Sequence, residues 1–164
     1  MPAVLAFIGR PNCGKTTLIE NLIPALMAKG VAVGTIKHHH GDIRMDTPGK
    51  DTWRHKQAGA RAVLLSSPTG IGFIRDVAED TPVADLVGRY FPDFDLVLVE
   101  GYKWSNLPKI EVYRSSVCET PIMEPGSRII AMVSDLQVNP DIPWFKAEDL
   151  DALVEFILDN IINR

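Results

Sequence analysis

Cysteine is scarce in this chain of 164 residues: only Cys13 and Cys118 occur. They are far apart, make no metal-ligand spacing, and a disulfide at Cys13 would obstruct the glycine-rich turn around it, so a reducing cytoplasm is the expected setting. Positive charge is not in excess either. With 17 basic and 21 acidic residues the formal net charge is −4, which argues against a general binder of nucleic acid or of membrane surfaces. Any anion must therefore be held locally. No apolar run approaches the ~20 residues that cross a bilayer, and the opening "MPAVLAFIG" has no basic segment and reaches glycine too early for a signal peptide. Internal repeats and low-complexity tracts are also lacking. What is present, 46% hydrophobic and 23% charged residues, is ordinary globular composition, and one domain over 1–164 is expected.

Val4 to Ile8 form a short continuous apolar run, the pattern of a strand buried on both faces of a parallel sheet. From Lys15 to Lys29, apolar residues Leu18, Ile19, Leu22, Ile23, Leu26 and Met27 recur at helical spacing, with Gly30 as a stop and Pro24 as an internal kink. "VAVGTIKHH" reads as a second strand, followed by a long polar stretch, "HHGDIRMDTPGKD", of the kind that carries function. "KDTWRHKQAGA" predicts a short helix, "RAVLLSS" a strand, "PTGIGFIRDV" an antiparallel addition, and "PVADLVGRYF" a helix begun by Pro82. "FDLVLVEG" is a buried strand, "PKIEVYRS" a strand nearer an edge, and "SRIIAMVSD" a last central strand. Leu150, Leu153, Val154, Ile157, Leu158 and Ile161 predict an amphipathic closing helix. The alternation implies a three-layer α/β fold with a mainly parallel sheet and added antiparallel strands.

Between the first strand and first helix lies "GRPNCGKTT". Gly9, Arg10, Pro11, Asn12, Cys13, Gly14, Lys15 and Thr16 satisfy G-x-x-x-x-G-K-[ST], and the strand–loop–helix setting is the one this phosphate-binding loop requires. Its converging N–H groups and the helix N-terminus would cradle a polyphosphate, with Thr17 in the first turn. Lys15 is expected to reach the β and γ phosphates, and the Thr16 hydroxyl to hold Mg²⁺.

A carboxylate near the metal is expected from "FDLVLVEG". Ligands bind at the carboxyl ends of parallel strands, so Glu100 is the candidate, against a solvated loop acid, and Asp95 reads as a strand-start or capping residue. Gly101 would leave space for close backbone approach. Asp46 and Asp51 read either as groups that orient water or a metal ligand, or as loop and helix-cap acids. Asp135, at the end of "AMVSD", either accepts from guanine N1 and N2 or caps a turn. His38, His39 and His40 alternate faces on an extended chain, so phosphate or partner contacts are favoured over a tight metal site.

"FIGRPNCGKTTLIENLIPAL", "VGTIKHHHGDIRMDTPGKDTWRHKQAGARAV", "LVLVEGYK" and "PKIEVYR" together resemble the MobB family, adapter-type GTP-binding proteins of molybdopterin-guanine dinucleotide biosynthesis. The resemblance runs from Val4 to about Asp135. It implies GTP with Mg²⁺, weak hydrolysis, homodimerisation, and cooperation with the guanylyltransferase (MobA-type) that joins GMP to molybdopterin. The alternatives are a small-molecule kinase or ligase resembling dethiobiotin synthetase and a metallochaperone GTPase. No dedicated cation for a transferring phosphate stands out; Arg10, Arg44 and Arg54 are the candidates, so unaided turnover is expected to be slow.

Overall fold

The structure, a computed structural model, describes residues 1–43, 45–123 and 127–163; Arg44 lies outside them. Two compact units divide the chain, a larger one of Met1–His38 with Ala84–Arg164 and a smaller one of His39–Val83.

Among the described residues the larger unit contains six strands, β1 (Ala3–Ile8), β2 (Val33–Lys37), β5 (Leu96–Glu100), β6 (Lys109–Tyr113), β7 (Ile129–Ser134) and β8 (Trp144–Phe145). They form one sheet in the order β2-β5-β1-β6-β7-β8, and every pairing in it is parallel. Alternate residues face opposite sides of a strand. One face therefore carries Leu5, Phe7, Leu96, Leu98, Ile110, Val112, Ala131 and Val133, which pack in a single core with Leu18, Leu22 and Leu26 of α1 (Lys15–Ala28) and Leu153, Val154 and Ile157 of α4 (Leu150–Ile157). Pro24 sits on the exposed side of α1, where its missing backbone donor is least costly. After Ile157 the last turn widens into a π-helix over Leu158–Ile162. The opposite face carries α3 (Val83–Tyr90): a Cβ at Gly34 of β2 would lie 2.4 Å from the ring of Phe91, the residue that follows this helix. The three layers are those expected.

The smaller unit holds α2 (Asp51–Gln57) and the antiparallel pair β3 (Ala62–Ser67) and β4 (Gly70–Arg75). These two strands pair with one another as a separate two-stranded sheet, in register from Ala62↔Arg75 to Ser67↔Gly70. Lys56 of α2 reaches Asp76, beyond β4, at 2.6 Å. Leu64, Leu65, Ile71 and Phe73 remain exposed on this hairpin.

Two elements differ from the sequence reading. β8, only two residues long, is too short to show periodicity and adds an edge beyond β7. β6, expected near an edge, lies between β1 and β7 with all five residues buried. Its polar positions mislead because they serve buried backbone: Lys109 Nζ donates to the carbonyls of Ser105 and Leu107 (3.1 Å to the latter), and the Glu111 carboxylate accepts from the amides of Ile122 and Met123 (3.1 Å to the latter). Burial outweighs those hydrogen bonds in the titration of Glu111 and raises its pKa. The same burial lowers that of Lys109.

Glu111→Gln keeps the shape but turns an amide N–H₂ toward one of two buried donors, which typically costs about 1–3 kcal/mol. The expected result is a lower denaturation midpoint at unchanged slope, with faster proteolysis of the segment 114–123; an unaltered midpoint would contradict the clamp.

Candidate functional site

β1 delivers the chain at Ile8 into a turn that only glycine can make. Gly9 has φ +149°, and a Cβ there would lie 2.3 Å from the Val112 carbonyl oxygen and 2.7 Å from Cys13 Sγ. Asn12 (φ 62°) and Gly14 (φ 95°) complete the reversal, with Gly14 as the residue before α1. The Cys13 side chain faces inward and is fully buried, whereas Arg10, Pro11 and Asn12 are exposed. Lys15 Nζ donates to the carbonyls of Gly9 at 3.0 Å and Arg10 at 2.8 Å. Its charge is thus folded over the loop and held by peptide dipoles.

The parallel register sets Glu100 beside Phe7 on one side and Lys37 on the other. Its carboxylate consequently meets the first turn of α1: Thr16 Oγ1 donates to Glu100 Oε2 at 3.0 Å, and Lys37 Nζ lies 3.3 Å from Oε1. Adjacent hydroxyl and carboxylate oxygens next to a phosphate-type loop are a donor set suited to a hard divalent cation. Asp95 stands at the opposite end of β5, where Oδ2 accepts from the Ala32 amide at 2.8 Å. Gly101 adopts φ +107°, and the space a Cβ would need is already taken by His38, 3.1 Å away. The His38 ring lies against Tyr102, with centroids 4.3 Å apart. His39 and His40 fall in the smaller unit. Among the described residues no three His, Cys, Asp or Glu side chains form a metal-binding group.

On the other side of β1 a cavity of about 490 Å³ opens at the carboxyl ends of β6 and β7. Gly14, Thr17 and Asn21 of the loop and α1 line it, with Arg114, Asp135 and Lys146. Arg114 and Lys146 did not emerge from the sequence. The signal for Arg114 was its position one residue past β6, which points to this edge only once β6 is known to neighbour β1. Asp135 accepts from the Ser115 amide at 3.0 and 3.1 Å and from Ser115 Oγ at 2.7 Å. It thereby ties the ends of β6 and β7 together.

Asp46 and Asp51 belong to the smaller unit. Asp46 Oδ1 accepts from the Thr47 amide at 2.8 Å and from Thr52 Oγ1 at 3.2 Å, while Oδ2 is buried with no hydrogen-bond partner among the described residues. Asp51 opens α2 and lies 3.9 Å from Arg54 in an exposed i,i+3 pair.

Hydrogen bonds from Ser115 hold the Asp135 carboxyl below its ordinary value of 3.8. Because the folded-state pKa is depressed, the contribution is fully present above that value and is lost only as pH falls through the lower, folded one. A carbon-13 titration should therefore find Asp135 protonating below 3.8, and Ser115→Ala should move its midpoint upward; coincident midpoints would refute the clip.

The comparisons agree on one family. A molybdopterin-guanine dinucleotide biosynthesis adapter protein of Escherichia coli (strain K12) is 33% identical over 163 residues, which span 97% of this chain and 93% of the relative. The crystal structure of Bacillus subtilis MobB has a TM-score of 0.79 at 25% identity and covers 99% of both chains. A crystal structure of molybdopterin-guanine biosynthesis protein B gives 0.73 at 29%, covering 95% of this chain and 97% of that one. The family model described as molybdopterin guanine dinucleotide synthesis protein B matches residues 4–135. With the glycine turn at the end of β1 and a carboxylate beside it on β5, the chain belongs to the MobB family.

Proposed function

We propose that this protein is a GTP-binding adapter that assists a MobA-type guanylyltransferase in attaching GMP to molybdopterin. The observation that carries the reading is the contact of Thr16 with Glu100 at 3.0 Å, directly beside Lys15 and the glycine turn. In this reading a polyphosphate takes the Lys15 ammonium from the carbonyls of Gly9 and Arg10, exchanging two neutral acceptors for charged ones. Thr16 and Glu100 are the residues that would hold Mg²⁺, which when bound neutralises phosphate charge. Asp135, ionised at the rim of the cavity, has lone pairs beyond those given to Ser115 and serves as the acceptor for the guanine edge. Asp46, whose Oδ2 has no hydrogen-bond partner among the described residues, and Asp51 are proposed to orient a water or a metal ligand.

A homodimer fits the exposed apolar residues of the β3–β4 hairpin, whose strands pair only with each other among the described residues. The two free cysteines accord with a reducing cytoplasm. Hydrolysis is proposed to be weak, since fast turnover needs both a positioned water and a further cation at the transferring phosphate. Pull-down of the guanylyltransferase with GTP present tests the adapter reading directly. Capture that depends on GTP is expected. Phosphate transfer to a small acceptor without any capture would favour a kinase.

Two substitution results are expected of the site itself. Lys15→Ala should abolish GTP binding with an unchanged circular dichroism spectrum, because the side chain lies outside the core. Glu100→Gln should weaken Mg²⁺-dependent binding more than Asp95→Asn, since only Glu100 stands on the loop's side of the sheet. Equal losses would place the metal elsewhere. Steady-state phosphate release by the isolated protein should stay well below ~1 per second and rise when the guanylyltransferase is added.

A further inference from the structure

Arg114 is a cation that the family motifs leave without a task. It follows β6 directly, and its backbone is fixed from two sides: its carbonyl accepts from the amides of Val117 at 3.0 Å and Cys118 at 3.1 Å, and the next residue, Ser115, is clipped to Asp135. The side chain returns across the sheet edge to the loop. A Cβ at Gly14 would lie 3.1 Å from Arg114 Nη2, 3.3 Å from Nε and 3.4 Å from Cζ, so the whole guanidinium rests against the Gly14 backbone. Its charge also acts on the Asp135 carboxylate, which lines the same cavity.

Strand order tells which part of a nucleotide this group meets. Glu100 and Thr16 mark the metal-bearing end on the β5 side of β1, and Arg114 stands on the β6 side. With strands ~4.8 Å apart, the two ends are separated by roughly 10 Å. From Gly14 and Arg114 the cavity of about 490 Å³ continues past Asp135 to Lys146, within the range of small-molecule sites. A nucleotide whose terminal phosphates lie at Thr16 thus has its nucleoside at Arg114. Arg guanidinium planes stack on aromatic faces, which lysine cannot match.

Resting on the nucleotide reading above, we propose that Arg114 is the platform for the purine of the bound nucleotide, a nucleoside-binding residue rather than a cation acting on the transferring phosphate. Phosphate-only ligands then do not use it.

The test compares Arg114→Ala and Arg114→Lys with the unmodified protein, measuring Kd for GTP, GDP and inorganic triphosphate by equilibrium dialysis. Arg114→Ala should weaken GTP and GDP alike, by about tenfold, and leave triphosphate affinity and the thermal midpoint unchanged. Arg114→Lys should fail to restore binding. The platform is overturned if Arg114→Ala binds GTP normally, if triphosphate affinity falls equally, if lysine restores affinity in full, or if only the hydrolysis rate drops. Should the unmodified protein bind triphosphate but neither GTP nor GDP, the nucleotide reading itself fails, a result distinct from normal GTP binding by Arg114→Ala.

Discussion

The carboxyl edge of the sheet is organised by one close approach, that of the Gly9 backbone to the Val112 carbonyl. No side chain fits between them. Because β1 runs this near to β6, the loop turns over the sheet edge instead of leaving it, and α1 starts where its first residues face both neighbouring strands. Glu100 on β5 meets Thr16, and Arg114, the residue after β6, meets Gly14. A side chain at position 9 would separate the strands and lose both contacts together. The approach is maintained from behind by Glu111, on β6 and one residue before Val112, whose carboxylate binds the returning backbone at Ile122 and Met123.

Two cations at this edge are held by weak or shared partners. Lys15 uses two peptide carbonyls, and Lys37 shares Glu100 with a hydroxyl while remaining largely exposed. Peptide carbonyls are poorer partners for an ammonium than phosphate oxygens are.

Much of this was legible from sequence, for definable reasons. The glycine loop is a local motif whose flanking strand and helix are also local, so Gly9 to Thr17 could be placed without knowing the topology. Glu100 needed only one further rule, that ligands gather at the carboxyl ends of parallel strands. Strand order was not accessible, and β6 shows the consequence. Its polar alternation describes a half-solvated strand until the backbone groups covering Lys109 and Glu111 are known. Arg114, Lys146 and the Ser115–Asp135 clip were hidden with it, because each depends on which strands are neighbours. The smaller unit was half legible: its helix and its two strands were located, but not that those strands form a sheet of their own.

The placement of β5 between β2 and β1 also bears on how the protein is made. The first 38 residues contain the entire glycine loop, yet Ala3 and Val33 both find their sheet partner in Leu96. During synthesis the loop therefore leaves the ribosome well before the strand that joins its two flanks, and before Val112, against which Gly9 must lie. Until then β1 and β2 are apolar strands with unpaired edges, the condition in which nascent chains are most exposed to misassociation. The residues His39–Val83 emerge in this interval and hold a hairpin whose two strands pair locally. Order of emergence thus opposes order of completion: the segment that appears first acquires its native geometry late, when β6 has arrived.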